Sequence, residues 1–426
     1  MKQPSPGETQ PVVSRRYAKY ALGLLTVVYV VNFVDRQILS ILLPSIQRDL
    51  QLSDTQLGIL GGVAFAIFYA TLGIPIGRLA DRWSRKGVIA VSLVLWSGMT
   101  ALCGFASGFA QLLIARIGVG VGEAGGSPPA HSLIAEYFPV EQRGTALSIF
   151  SLGIPIGILV GFLAGGWIDE FFGWRRAFLV VGIPGLVLAA VVALTLRESP
   201  RSAATQSVPS TREVFRYLWS LSSFRHASFA SGLYAFVGYS VVGWAPMFLQ
   251  RSHDMTSGPI GTWLALIIGI GGAVGTIVGG RLADRFGVRD RRAYVIVPAI
   301  ALAACYPAGF VIYLSDNTTL VLLMLSLPVL FGSMYQGPTF SVVQSLAPPA
   351  MRSTAAAVLL FVVNIIGMGM GPSTVGIVSD LLSERFGDDS LRYAMLIIST
   401  LYLWSALHFW LASRSLRQDL AAVPTD

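Results

Sequence analysis

Four ionisable side chains lie well inside long apolar stretches of the sequence, and they are the residues best placed to do chemistry: Asp35, Arg36, Arg116 and Glu123. A charge at the centre of a lipid bilayer costs about 3 kcal/mol or more unless it is paired or faces a wet cavity. We therefore expect all four side chains to face a central cavity. Arg116 and Glu123 are seven residues apart, so they share one face of a helix.

Two interpretations of the carboxylates Asp35 and Glu123 stay open. In the first, they are proton-coupling groups whose alternating protonation is tied to alternating access, since an approaching arginine changes the protonation of a carboxylate. In the second, they belong to a permanent ion-pair network that holds two helices in register. Arg116 either anchors an anionic head group through its bidentate guanidinium or forms a salt bridge to one of these carboxylates. Arg36, about 100° further round the helix than Asp35, could serve either purpose.

The composition places this chemistry in a membrane. Hydrophobic residues make up 54% of the 426 residues and charged residues only 12%, whereas a soluble domain has roughly 25% charged residues. The first apolar stretch is too long for the core of a signal peptide, so we expect it to be retained as a membrane helix. Cys103 and Cys305 stand alone in apolar stretches, which indicates neither a disulfide framework nor a metal site.

Twelve apolar runs are long enough to cross a bilayer, which predicts an all-α membrane protein. We call them spans 1 to 12: residues 19–43, 56–80, 88–107, 110–135, 143–168, 175–197, 223–250, 259–283, 292–314, 319–346, 352–382 and 390–414.

The distribution of basic residues predicts the orientation. Most Lys and Arg residues lie in the two tails and in the loops that follow even-numbered spans. The loops on the opposite side contain only Arg48, Arg175, Arg176, Arg251, Arg385 and Arg392. The positive-inside rule then puts both termini in the cytoplasm of a cell that carries the chain in its plasma or cytoplasmic membrane. The net charge of +8 follows from this topology and does not indicate nucleic-acid binding.

The sequence repeats itself at an offset of about two hundred residues. Gly-Arg-Leu-Ala-Asp-Arg occurs at residues 77–82 and again at 280–285, each time at the end of an apolar run. A second pair, Glu-Gln-Arg-Gly-Thr-Ala at 141–146 and Met-Arg-Ser-Thr-Ala-Ala at 351–356, keeps nearly the same offset. Two homologous halves are the plan of a transporter. We predict six-helix bundles at 1–197 and 223–426, joined by a cytoplasmic linker at 198–222 with one amphipathic helix around 212–221.

These motifs resemble the major facilitator superfamily. Residues 77–86 match the loop signature of that family between its second and third helices, except that Ser84 replaces a glycine. Residues 116–124 resemble its fourth-helix motif, and the glycines from 153 to 166 resemble a fifth-helix motif associated with antiporters. Within the superfamily, residues 32–39 and 122–130 look like the Spinster branch. The resemblance implies two pseudo-symmetric bundles that work by alternating access, and movement of amphipathic lipids such as lysophospholipids or sphingosine 1-phosphate.

The resemblance also implies a role for the two charged loops. In the superfamily, the aspartate that matches Asp81 belongs to a network that locks the cytoplasmic side of the outward-facing state. We expect a cytoplasmic gate of this kind in both halves, the alternative being that the charges only enforce topology. Its residues are Arg78, Asp81, Arg82, Arg85, Asp284 and Arg285, with Arg281 beside them.

The second half has no comparable charges in its spans, and its candidate cavity residues are aromatic or uncharged. They are Tyr234, Tyr239, Ser240, Tyr335, Gln336, Phe361 and Asn364, which we group with Asn32 of the first half. A cavity that is charged on one wall and aromatic on the other fits a molecule with a polar head and an apolar tail. The alternative is that these residues only pack helices together.

Three classes of function remain. We favour a secondary transporter of an amphipathic, anionic lipid, either proton-coupled or facilitative. The alternatives are a proton-coupled transporter of small organic solutes or drugs, and a membrane receptor with this fold. No nucleotide-binding loop, nucleophile elbow or metal spacing occurs in the sequence, so we expect no enzyme activity and no cofactor. The expected partners are the lipid substrate, protons and the bilayer, and we expect a monomer.

Overall fold

The computed structural model describes residues 13–198 and 210–423, apart from the side chains of Ile74, Asp81, Val140 and Thr211. Within these residues the regular structure is entirely helical. The α-helices are α1 (Arg15–Leu50), α2 (Asp54–Gly61), α3 (Val63–Arg82), α4 (Arg85–Cys103), α5 (Phe109–Glu123), α6 (Ser127–Tyr137), α7 (Val140–Ser151), α8 (Gly153–Phe172), α9 (Trp174–Thr195), α10 (Thr211–Ser220), α11 (Ser222–His253), α12 (Ser257–Leu264), α13 (Gly272–Gly287), α14 (Ala293–Leu314), α15 (Thr318–Ser333), α16 (Gln336–Leu346), α17 (Arg352–Val362), α18 (Gly371–Phe386), α19 (Ser390–Ser399) and α20 (Leu401–Ala421).

These helices account for all twelve predicted spans. Ten stretches of the described chain are long and apolar enough to cross a membrane. Span 4 is not among the ten because it is divided into the short helices α5 and α6, with Gly125, Gly126 and Pro128 at the junction. Spans 11 and 12 form one of the ten, the continuous stretch Pro349–Ala421.

Proline and π-helical geometry interrupt several spans. α7 ends at Ser151 and α8 begins at Gly153, just before Pro155. A π-helical segment, Val363–Met370, separates α17 from α18, in which Pro372 occupies the first turn. Proline has no N–H to donate and cannot continue the hydrogen bonds of a preceding helix, so the breaks at Pro155 and Pro372 have a local cause in the sequence.

The chain forms two compact units, and they do not follow the predicted halves of the sequence. In the described chain, unit 1 comprises residues 13–38, 68–161 and 175–198, and unit 2 comprises residues 39–67, 162–174 and 210–423. Two pieces of the first half therefore belong to unit 2. The division into bundles at 1–197 and 223–426 stays a prediction.

Unit 1 is held together by close helix packing. Two glycines near the start of α8 lie directly on α1: a Cβ added at Gly153 would come within 2.9 Å of Tyr29, and one added at Gly157 within 2.5 Å of Phe33. α4 and α5 meet in the same way, because a Cβ at Gly122 would lie 2.6 Å from the backbone of Trp96. Small residues at these positions let the helix backbones approach.

Unit 2 is built around α11, which packs against α20 and against the π-helical segment. The indole of Trp244, fully buried on α11, donates a hydrogen bond of 2.9 Å to the carbonyl of Pro372. The predicted linker helix is confirmed as α10, which begins with a capping box formed by Ser210 and Glu213.

Candidate functional site

Unit 1 brings the four predicted charges together. α1 supplies Asp35 and Arg36, and α5 supplies Arg116 and Glu123. Asp35 is fully buried, Arg116 and Glu123 are 2% and 1% exposed, and the Arg36 side chain is 12% exposed. We call these four residues the charge cluster. Both charged residues of α5 lie on its buried face, as their spacing predicts.

Arg36 forms an ion pair with Glu123 inside the charge cluster. Its Nη2 and Nε atoms lie 2.6 Å and 3.1 Å from Oε2 of Glu123. The guanidinium also sits 4.8 Å from the ring centre of Phe33 and 4.7 Å from that of Tyr69, where cation–π attraction adds to the pairing. Of the two purposes that the sequence left open for Arg36, the structure shows pairing with Glu123.

Asp35 has charged neighbours but accepts no hydrogen bond of normal geometry. Both its carboxylate oxygens are buried, and no donor among the described residues meets hydrogen-bond geometry with them. Arg116 is the nearby cation, and the hydroxyl of Ser97 and the indole of Trp96, both on α4, face the carboxylate. A buried carboxylate without hydrogen bonds is energetically costly, which makes this side chain the least settled member of the cluster.

Three residues that surround the charge cluster were not predicted from the sequence: Trp96, Ser97 and Tyr69. None of them carries a charge, and Trp and Ser inside an apolar run give no signal of their own. The glycine opposite Ser97 does give a signal. A Cβ added at Gly185 would collide with the Ser97 side chain, which fills the space that this glycine leaves.

The other predicted cavity residues lie in unit 2, except Asn32, which lies in unit 1. In unit 2, the rings of Tyr234 and Tyr335 are in contact with centroids 4.5 Å apart. Ser240 is fully buried and donates to the carbonyl of Phe236 on its own helix, so its hydroxyl is already used. Tyr239 and Asn364 are half-buried, Gln336 and Phe361 are exposed, and Asn32 is buried in unit 1 beside Glu123.

The charged loops make local contacts in the described structure. Arg85 lies 2.6 Å from Glu136 of α6, and the backbone N–H groups of Arg85 and Lys86 donate to Glu198. In unit 2, Asp284 accepts a hydrogen bond of 2.8 Å from the hydroxyl of Tyr294. Arg78, Arg82 and Arg285 are exposed. The side chain of Asp81 lies outside the described part of the structure, so its predicted gate role stays a prediction.

A second polar cluster, inside unit 2, was not predicted. Arg251 of α11 donates from both terminal nitrogens to the carboxylate of Asp54 of α2: Nη2 to Oδ1 at 2.5 Å and Nη1 to Oδ2 at 2.8 Å. Gln47 donates to the same carboxylate at 2.9 Å, and Ser379 of α18 donates at 2.6 Å. We call Gln47, Asp54, Arg251 and Ser379 the Asp54 network. It joins residues of the first sequence half to residues of the second.

Neighbouring contacts strengthen the same connection. Asp380 of α18 accepts from the backbone N–H groups of Asp54 and Thr55, which begin α2. Asp169 of α8 accepts from the hydroxyls of Ser45 and Ser257, both within 2.7 Å. Carboxylates at helix N-termini and charge-assisted hydrogen bonds are the stronger polar contacts available to a protein.

The family model of the Major Facilitator Superfamily matches residues 25–372. An "MFS-type efflux pump" of Mycolicibacterium smegmatis is 35% identical over 95% of this chain and 95% of its own length. A "Hexuronate transporter" of Bacillus subtilis is 27% identical over 87% of this chain and 90% of its own.

Among solved structures, the crystal structure of a bacterial homologue of the human lysosomal transporter Spinster, in an inward-facing and unoccupied conformation, superimposes with a TM-score of 0.88. The two chains are 30% identical, and the match covers 96% of this chain and 99% of the other. The similarity confirms the resemblance to Spinster that the motifs predicted.

Proposed function

The chain belongs to the major facilitator superfamily of membrane transporters, and from this premise we propose that it moves an amphipathic, anionic molecule across the membrane by alternating access. The lysophospholipids are the class that we favour. The twelve-helix fold of the superfamily and the similarity to a Spinster homologue support a transporter. The substrate class and the coupling to protons are our proposals.

The charge cluster is the observation that carries the proposal. When all four groups are ionised, two carboxylates balance two guanidiniums. Protonation of either carboxylate leaves one guanidinium without a counterion at bilayer depth, where an uncompensated charge is costly. A phosphate or carboxylate group of the substrate could then supply the missing negative charge. Arg116 is our candidate for that contact, because guanidinium binds both groups through two parallel hydrogen bonds.

Asp35 is our candidate for the coupling proton. Glu123 is held through its Oε2 atom by the Arg36 ion pair, whereas neither oxygen of Asp35 has a donor at hydrogen-bond geometry among the described residues. A proton on Asp35 would remove a buried charge that no hydrogen bond stabilises, and would free Arg116 for the substrate. Glu123 remains the second candidate for proton coupling.

The apolar part of the substrate is inferred from the aromatic residues of unit 2. Tyr234 and Tyr335 form a contact pair, and Phe361 exposes 43% of its surface. Aromatic side chains offer large apolar areas to an acyl chain. We also propose that both termini face the cytoplasm, that the membrane is the cell membrane, that the protein works as a monomer, and that Asp81 and Asp284 belong to a gate on the cytoplasmic side.

A small organic acid is the second candidate substrate. The Bacillus subtilis relative is named as a hexuronate transporter, and a hexuronate carries a carboxylate on a small polar ring. Arg116 would suit this anion as well as a phosphate. The two candidates differ in the apolar tail, for which a sugar acid has no equivalent.

A flux assay in proteoliposomes tests the proposal. The full chain is reconstituted, and uptake of a labelled lysophospholipid and of a labelled hexuronate is measured with and without an imposed pH gradient. We expect flux of the lysophospholipid, and Arg116→Ala should lower it by about 10-fold to 100-fold, since a charge-assisted hydrogen bond contributes about 1.5–3 kcal/mol.

The matched control is Arg176→Ala, which removes an exposed arginine from the start of α9. It should leave the flux unchanged. Hexuronate flux without lysophospholipid flux would establish the second candidate. Undiminished flux in Arg116→Ala would contradict the role of Arg116.

A further inference from the structure

A cavity of about 360 Å³ lies in unit 2, far along the sequence from the charge cluster. It is open on one side and is lined by the start of α14, by α16 and by the end of α20. The polar part of its lining comes from Arg291, Tyr294, Ser341 and Ser345, and the apolar part comes mainly from Leu416 and Leu420. The cavity therefore offers one cation and several hydroxyls beside an aliphatic wall.

Arg291 is the cation that this cavity leaves without a counterion. The neighbouring carboxylate, Asp290, pairs with two other arginines. Its Oδ2 atom lies 2.8 Å from Nε of Arg292 and 3.0 Å from Nη2 of Arg417. The backbone N–H and the guanidinium of Arg292 hold the pKa of Asp290 below its usual value. Among the described residues, the side chain of Arg291 has no ion pair.

One of the three hydroxyls that line the cavity, that of Ser341, is available to donate to an anion. Tyr294 donates to Asp284, and Ser345 donates to the carbonyl of Ser341. The Ser341 side chain makes no hydrogen bond among the described residues, so it can donate to a ligand. A phosphate oxygen could accept from Ser341 while pairing with Arg291.

The position of the cavity along the helices indicates a membrane interface. α14 begins and α16 and α20 end here, on the side that carries the second Gly-Arg-Leu-Ala-Asp-Arg loop. On α20, just before the cavity residues, Arg414 stacks on Trp410 at 3.9 Å. Tryptophan and arginine are enriched at the level of the lipid head groups.

We propose that this cavity binds the head group of an anionic phospholipid, with the phosphate on Arg291 and Ser341 and part of an acyl chain along Leu416 and Leu420. Basic pockets between membrane helices recognise anionic head groups in this way. The site is separate from the charge cluster, and it does not depend on what the protein transports.

Native mass spectrometry of the full chain tests the proposal. The detergent-solubilised protein is titrated with phosphatidylglycerol and, separately, with phosphatidylcholine, and bound lipid is counted. We expect one phosphatidylglycerol to be retained in preference to phosphatidylcholine. Arg291→Ala should weaken this binding about 5-fold, because one arginine near a lipid surface contributes about 1 kcal/mol.

Two further variants make the test specific. Arg289→Ala removes an exposed arginine two residues away that does not line the cavity, and it should leave the binding unchanged. Ser345→Trp keeps every charge but fills the cavity from an exposed position, and it should weaken the binding as Arg291→Ala does. Equal loss in Arg289→Ala, or no loss in Ser345→Trp, would overturn the proposal.

Inorganic phosphate separates a lipid site from a site for soluble anions. We expect phosphate at millimolar concentration not to displace the retained phosphatidylglycerol. Displacement by phosphate that is lost in Arg291→Ala would show a soluble-anion site and would overturn the assignment to lipid. Because binding is counted directly, a failed flux assay leaves this result unaffected.

Discussion

The charge cluster and the Asp54 network contain the same kinds of side chain, but they differ in how fully the aspartate is hydrogen-bonded. Each places an aspartate near an arginine in a buried position. Asp54 accepts hydrogen bonds from Arg251, Gln47 and Ser379, and both its oxygens are fully used. Asp35 accepts none of normal geometry from the part of the chain that the structure describes. A satisfied buried pair resists change, and an unsatisfied one gains from a proton or a ligand.

This difference indicates that the two clusters have different roles. The Asp54 network holds parts of the two sequence halves together inside unit 2, as a latch would. The charge cluster, inside unit 1, contains Asp35, which we propose as the group that changes its protonation. We therefore expect variants of the two clusters to fail in different assays.

The largest effect should come from Asp35→Asn. The amide cannot take part in proton exchange, so the component of flux driven by a pH gradient should fall by about 100-fold. The measurement is lysophospholipid flux in proteoliposomes with and without the gradient. Asp54→Asn is the matched variant: it should lower total flux while keeping the ratio between the two conditions. A preserved ratio in Asp35→Asn would remove the distinction between the clusters.

Arg251→Ala should loosen the Asp54 network. It leaves the buried carboxylate of Asp54 without its cation, a loss of about 3 kcal/mol, which corresponds to about 100-fold faster exchange of the amides at the start of α2. Hydrogen exchange read by mass spectrometry over residues 52–62 measures this. Arg385→Ala, which removes an exposed arginine near the end of α18, is the control and should leave exchange there unchanged. If the two variants exchange alike, the network does not act as a latch.

Ser379→Ala should have the smallest effect. It deletes one hydrogen bond of 2.6 Å to Asp54 but leaves the Arg251 ion pair in place. We expect a loss of about 1 kcal/mol and about 5-fold faster exchange of the same amides. The comparison with Arg251→Ala then ranks the donors to one carboxylate. An effect as large as that of Arg251→Ala would mean that the hydroxyl, and not the ion pair, holds the network.

The sequence predicted the fold and the charge cluster for physical reasons. Apolar runs of about twenty residues have few alternatives to membrane helices. Charges inside such runs have to meet one another or a polar environment, and the four charged residues of spans 1 and 4 do lie together in unit 1. Glycines four residues apart in span 5 permit close packing of helices, and Gly153 and Gly157 do contact α1 closely.

The Asp54 network could not be predicted in the same way. Asp54 and Arg251 are 197 residues apart and both lie at helix ends, where charged residues normally face water. Their pairing depends on how residues 39–67 pack in unit 2, and no local pattern encodes that. Trp96 and Ser97 were missed because uncharged residues in a membrane helix do not reveal which neighbour they face.

The glycines of α8 constrain how this family member can vary. Gly153 and Gly157 lie against Tyr29 and Phe33, so even a methyl group on α8 would collide with α1. A larger residue could be accommodated on one helix only if the facing residue became smaller at the same time. Natural variation at this seam should therefore arise as compensating pairs, with single replacements eliminated before they spread.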